Sequence, residues 1–259
     1  MERRAAHWSR VAWPMIDLFY DATPNGRKAL IMLEETGLAY NLNWIEIGKG
    51  HQFEPDYLAI SPNGKIPAIV DHDGPGGEAV SVFETGAILL YLAEKTGKFI
   101  SKDPVERLEA IKWLFWQTSS HGPFVGQAVH FINYASDRGI EDTYAIERYH
   151  GEAQKLYGVL NTQLEGRDYI AGDFSIADIA TFPWVRVAKG HRIDVTQYPN
   201  VARWSAKISE RPSTKVKPKI PDRDVSFERI DGSDDKLWKN LFDQKSRTQQ
   251  TATKADSRS

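Results

Sequence analysis

The sequence predicts an α/β domain followed by an all-helical domain. Between Ile16 and Gly97, short apolar runs alternate with helical periods in the order β-α-β-α-β-β-α. Beyond about Pro104, strand signals vanish and apolar residues recur only at helical spacing.

The first unit spans residues 15–99. IDLFY (16–20) is a short apolar run suited to a buried strand. DATPNG follows as a turn, then a helix from about Arg27 to Thr36 with Ala29, Leu30 and Leu33 on one face and Gly37 as its stop. YNLNWIEI (40–47) alternates apolar and polar residues, as a strand does. Strand–helix–strand units favour parallel pairing through a right-handed crossover. A glycine-containing loop (48–52) and a weak helix near 54–59 lead to KIPAIVD (65–71), a strand with Pro67 at its start, where a missing N–H does least harm. HDGPGG turns the chain into AVSVF (79–83), so these two strands read as a hairpin. ETGAILLYLAEKTG (84–97) is a strong helix with Glu84 in its first turn and Gly97 past its end.

The second unit spans 104–212, with helical periods at 105–134, 142–166, 175–189 and 198–210. Trp113, Leu114, Phe115 and Trp116 crowd the first of these, which marks it as central. Ser175 and Asp178 stand in the arrangement of a capping box. Residues 213–259 are charged and poor in apolar side chains, so they read as a flexible tail with one short helix around Lys236–Phe242. Leu237, Trp238, Leu241 and Phe242 give that helix an apolar stripe able to dock. MERRAAHWSRVAWP (1–14) is basic without a sustained apolar region, which reads as a dispensable extension with Met15 as an alternative start.

Composition narrows the chemistry. The 259 residues are 41% hydrophobic and carry a formal charge of −2, which supports packed cores and gives no global attraction to nucleic acid or anionic membranes. There is no apolar run near the roughly 20 residues that a membrane helix requires. With no cysteine in the chain, a disulfide framework, a cysteine metal site and a cysteine nucleophile are excluded. The same absence fits a reducing, cytoplasmic setting. The seven histidines show no metal-ligand spacing, so no metal is expected.

Three short segments can carry chemistry. Thr23-Pro24-Asn25-Gly26 joins a strand end to a helix start, where free N–H groups and partial positive charge stabilise a thiolate. Thr23 and Asn25 can each donate a hydrogen bond to such an anion; the plainer alternative makes Asn25 a helix cap and Thr23 a turn residue. Asn63-Gly64-Lys65-Ile66-Pro67 enters a strand from a tight loop. A cis Ile66–Pro67 bond would free the Ile66 backbone for an extended peptide, whereas a trans bond makes it an ordinary strand edge. Phe83-Glu84-Thr85-Gly86 opens a helix whose N–H groups can take a carboxylate while Glu84 meets an ammonium; alternatively, Glu84 only complements the helix dipole. Together the three describe a site for a thiol-bearing peptide with an α-amino-acid head, the outline of glutathione.

Across residues 16–212 the sequence resembles a cytosolic glutathione transferase, with a thioredoxin-like N-terminal domain and a helical C-terminal domain. TPNGRKALIMLEETGL, GKGHQFEPDYLAISPNGKIPAIVDH, VFETGAILLYLAEKTG, YAIERYHGE and YIAGDFSIADIA most resemble the bacterial nu class of disulfide-bond oxidoreductases, with the fungal nitrogen-regulator-like branch as a relative. The resemblance implies that Thr23 and Asn25 hold the glutathione sulfur and that Gln52 reaches the glycyl end, with Lys65 near that carboxylate. It also implies that Ile66, before a cis Pro67, pairs with the cysteinyl backbone and that Glu84 and Thr85 take the γ-glutamyl head. Arg148 matches an arginine offered by the partner subunit, which implies a homodimer. Tyr20 is a competing partner for the sulfur, because several transferase classes use a tyrosine near the N-terminus. The implied activity is glutathione-dependent disulfide reduction. Conjugation or thiolytic aryl-ether cleavage in a pocket built from Trp116, Phe124, Phe131 or Trp184 is one alternative, and a non-catalytic glutathione-binding regulator is another.

Overall fold

The structure is a computed structural model and describes residues 15–218 and 231–242; the 1–14 extension lies outside them. Residues 16–96 form strand β1 (Ile16–Tyr20), helix α1 (Pro24–Thr36), β2 (Tyr40–Trp44), α2 (Pro55–Ile60), β3 (Ala68–Asp71), β4 (Val80–Phe83) and α3 (Thr85–Thr96). The sheet order is β2-β1-β3-β4. β1 pairs parallel with β2, Ile16 opposite Tyr40, and antiparallel with β3, Ile16 opposite Asp71. β3 and β4 form the expected antiparallel pair. This is the thioredoxin-like mixed sheet.

Alternation along β1 buries Ile16, Leu18 and Tyr20 on one face. α1 and α3 cover that face with Ala29, Leu30, Leu33, Ile88, Leu89 and Leu92, all essentially inaccessible. Tyr20 is thus a core residue, 1% exposed, and burial pushes its hydroxyl pKa up. That takes it out of contention as the sulfur's partner.

α1 begins at Pro24, earlier than the expected Arg27. Proline is a favoured first helical residue, and Thr23 caps the helix by accepting from Gly26 N at 3.1 Å. Thr23, not Asn25, is therefore the cap. Gly26 has a steric reason: a Cβ there would lie 2.1 Å from the Asp21 carbonyl oxygen.

The helical domain holds α4 (Pro104–Trp116), α5 (Gly122–Val129), α6 (Thr143–Gln163), α7 (Ile176–Arg186), α8 (Pro199–Ser209) and α9 (Pro212–Lys215). The single helix expected over 105–134 is interrupted by wider π-helical turns at Gln117–His121 and His130–Ala135. The first interruption ends two residues before Pro123, which has no N–H to give to Ser119. The capping box forms as expected. Buried Asp178 accepts from Ser175 N (3.0 Å), Ile170 N (3.0 Å) and Trp204 Nε1 (2.7 Å), tying α7 to α8. α7 packs directly on α1, so the second domain bears on the first next to the Thr23-Pro24-Asn25 turn.

Parts of the tail are built into the fold. Arg27 donates to the Thr214 and Val216 carbonyls at 2.8 and 2.6 Å, and Arg186 donates to Thr214 O at 3.0 Å. The short helix expected near 236–242 exists as α10 (Asp235–Leu241), and its apolar stripe docks. Trp238 and Phe242 pack on His130, Phe242 also meets Tyr134, and Leu237 reaches Gly48. Arg138 stacks its guanidinium over the Trp238 ring and bonds Asp235 at 2.7 Å. Within 231–242 the tail is thus packed rather than free, and its short helix contacts both domains.

Candidate functional site

Thr23 and Asn25 sit at the positive end of α1, beside α7 of the second domain. The Thr23 hydroxyl spends its acceptor side on Gly26 N, which leaves its O–H hydrogen available to donate. Asn25 Oδ1 accepts from Trp184 Nε1 on α7 at 3.1 Å. Trp184, expected as a pocket wall, is a polar partner of the Asn25 side chain.

The Ile66–Pro67 bond is cis. The Lys65 carbonyl before it accepts from Tyr57 Oη at 2.7 Å and Ser61 Oγ at 2.9 Å, which pins the loop. The β3–β4 ladder begins only at Ala68–Phe83, so Ile66 lies ahead of it. The Lys65 side chain is exposed.

Glu84 has φ 70°, a left-handed conformation that side-chain-bearing residues rarely adopt. Its side chain is exposed while Thr85, the first residue of α3, is buried. The strained residue therefore presents its carboxylate beside the N–H groups of a helix start, the pairing an α-amino acid head requires.

Behind this turn lies a residue the sequence did not flag. Lys28 is 2% exposed, and its Nζ donates to Gln117 Oε1 at 2.7 Å and to Thr85 Oγ1 at 3.3 Å. Burial lowers its pKa to about 7, with the Glu84 carboxylate opposing the shift. A lysine in an amphipathic helix reads as surface, so no local signal marked it.

Gln52 departs from its expected role. Its side chain is 4% exposed, and Nε2 donates to Ile47 O and to Asn240 O of α10, both at 3.1 Å. Both amide hydrogens are thereby used, and the remaining Oε1 is an acceptor, unsuited to a carboxylate. The reason is α10, which also clamps Gly48 O through Asn240 Nδ2 at 2.7 Å.

Arg148 is exposed on α6, paired with Glu152 at 3.4 Å and bonded to none of the other candidate residues among those described. The other aromatics expected around an electrophile are engaged with further rings: Phe131 stacks on Tyr149, Phe124 contacts Tyr149, and Trp116 stacks on buried His121. Among the described residues there is no metal-ligand cluster and no helix long and apolar enough to cross a membrane.

Residues 22–95 match the family model for the glutathione S-transferase N-terminal domain, and 139–212 match that for the C-terminal domain. The chain belongs to the glutathione S-transferase family. It is 52% identical over 202 residues to the disulfide-bond oxidoreductase YfcG of Escherichia coli, covering 77% of this chain and 93% of that protein. It is 40% identical over 215 residues to the E. coli disulfide-bond oxidoreductase YghU, covering 77% and 73% of the two chains. Among solved structures, a Pseudomonas putida glutathione transferase with glutathione disulfide bound is 42% identical with a TM-score of 0.75, over 80% of this chain and 91% of that one. Ure2p in complex with glutathione is 32% identical with a TM-score of 0.71, over 78% and 98%.

Proposed function

We propose that the protein is a glutathione-dependent disulfide reductase that acts as a homodimer and holds its reactive sulfur in bound glutathione. The observation that carries this reading is Thr23-Pro24-Asn25 at the N-terminus of α1 in a chain with no cysteine. The protein supplies positive electrostatics and donors at that spot, and the co-substrate supplies the thiol. Thr23 and Asn25 stabilise the thiolate, Ile66 beside cis Pro67 holds the cysteinyl backbone, and Glu84 with Thr85 takes the γ-glutamyl head. Lys65 flanks the glycyl carboxylate, and Gln52 shapes that end through its loop. Arg148 reaches the site of the second subunit.

In the reaction the glutathione thiolate attacks one sulfur of the substrate disulfide. The S–S bond breaks, a mixed disulfide forms and the first substrate thiolate leaves. A second glutathione thiolate attacks the glutathione sulfur of the mixed disulfide and releases the other substrate thiol, with glutathione disulfide as product. No covalent bond to the protein forms. The names of the relatives YfcG and YghU and the glutathione disulfide held by the Pseudomonas putida structure support this reading over conjugation.

The test is turnover of 2-hydroxyethyl disulfide by glutathione beside an aryl-halide conjugation substrate. Disulfide reduction should dominate, and no turnover above buffer would sink the reading. Thr23→Ala should lower kcat/KM about tenfold or more, the worth of one hydrogen bond to a charged group. Unchanged kinetics would remove Thr23 from the mechanism.

A further inference from the structure

The contact between Trp184 and Asn25 joins the helical domain to the sulfur end of the candidate site. An indole N–H can only donate, so the Asn25 atom 3.1 Å from Trp184 Nε1 must be its oxygen. That settles the orientation of the amide on chemical grounds. With Oδ1 held by Trp184, the NH2 edge is the one left to face an anion. Were the amide to rotate, its oxygen would face the sulfur and repel a thiolate.

The indole lies against α5. Two glycines on α5 lie against it: a Cβ at Gly126 would stand 3.4 Å from Trp184 Cη2, and one at Gly122 3.7 Å from Trp184 Nε1. The Gly122 Cβ would also press to 3.0 Å on Gln117 Nε2, the amide whose oxygen holds Lys28. α1 and α7 pack directly together, so the Asn25–Trp184 bond crosses the domain boundary between two helices in contact. Trp184 is half-buried while its flanking residues Pro183 and Val185 are buried, which anchors α7 on both sides of it.

We propose that Trp184 is a positioning residue that locks the Asn25 amide with its donor edge toward the glutathione sulfur, so that the helical domain sets the activity of the thiolate in the other domain. This rests on the glutathione-reductase reading above. Trp184 touches neither sulfur nor substrate in this role; it acts through Asn25.

The test is a double-mutant cycle on the full chain with Trp184→Phe, Asn25→Ala and the pair. Two quantities are read for each: the pH dependence of thiolate absorbance for bound glutathione, and kcat/KM for 2-hydroxyethyl disulfide. Trp184→Phe should shift the thiolate titration upward by about one pH unit and lower kcat/KM at neutral pH about tenfold, as loss of one charge-assisted hydrogen bond requires. In the Asn25→Ala background the same change should have no further effect on either. An unshifted titration in Trp184→Phe, or full additivity of the two substitutions, overturns the proposal. If Trp184→Phe folds poorly, benzothienylalanine at 184 keeps the bicyclic shape, removes only the N–H donor and must give the same shift. Wild-type protein that neither binds glutathione nor reduces the disulfide overturns the functional reading itself, an outcome distinct from an unshifted variant of an active enzyme.

Discussion

Lys28 has a consequence that can be measured apart from activity. Its ammonium is buried between Gln117 and Thr85 and its pKa falls to about 7 from an ordinary 10.5. Over the window from pH 7 to 10.5 the unfolded chain keeps this proton while the folded chain releases it. The unfolded state then binds more protons, so this group's contribution to stability rises with pH. Lys28→Met removes the titration and keeps the volume. The melting temperature of wild type minus that of Lys28→Met should therefore grow between about pH 7 and about pH 9. A difference that is flat or shrinks over that range would show that Lys28 titrates normally. The other ionisable groups are common to both proteins and cancel. Such a residue is illegible in sequence because its burial depends on α3 and the π-helical turn at Gln117 closing over it. Thr23, Asn25, Glu84 and Thr85 were legible because each lies at a helix start, where the chemistry is local.

Among the elements, α10 is the one whose place depended wholly on distant contacts. Its apolar stripe was visible, but the partners that receive it, His130, Tyr134 and Gly48, are roughly 110 to 190 positions away along the chain. The same distance hides the Gln52 contact: nothing near it in sequence announces that Asn240 will take its N–H. α1, α3 and the α7 capping box were legible because periodicity and caps are local signals. The π-helical turns were not, since a widened turn leaves the composition helical. The docking of α10 sets a stability prediction. Deleting residues 231–259 uncovers His130 and Tyr134 and leaves Gln52 Nε2 one acceptor short. Loss of these half-buried aromatic contacts is worth about 2 kcal/mol, which lowers the melting temperature by about 4–8 °C for a chain of this size. Calorimetry of the truncated and full chains measures it, and equal melting temperatures would mean that α10 adds nothing to the fold.

For the whole molecule, Val105, Leu108 and Phe115 among the exposed large apolar residues gather on α4, while Ile140, Tyr144 and Val159 lie outside it. Leu108 and Phe115 lie seven positions apart on α4, hence on one face two turns apart, and are 57% and 62% exposed. Val105, at 75%, extends that face, and Phe83, at 40%, stands immediately before Glu84 and Thr85. Exposed apolar side chains grouped on one helix face mark a protein interface. On the homodimer proposed above, a second copy of this chain would cover this face and would give exposed Arg148 a task, since no other candidate residue in its own chain bonds it among those described. The double substitution Leu108→Glu and Phe115→Glu puts like charges across a symmetric contact without touching the core, since both side chains are exposed already. Sedimentation should give twice the chain mass for wild type and a single chain mass for the variant, with an unchanged far-ultraviolet circular dichroism spectrum. Turnover should fall about tenfold or more as the arginine of the second subunit is withdrawn. Arg148→Ala should reproduce that fall while leaving the dimer intact, which separates the arginine's contribution from assembly. A variant that stays dimeric would place the interface on another face, and a monomeric variant with full activity would leave Arg148 no part in the site.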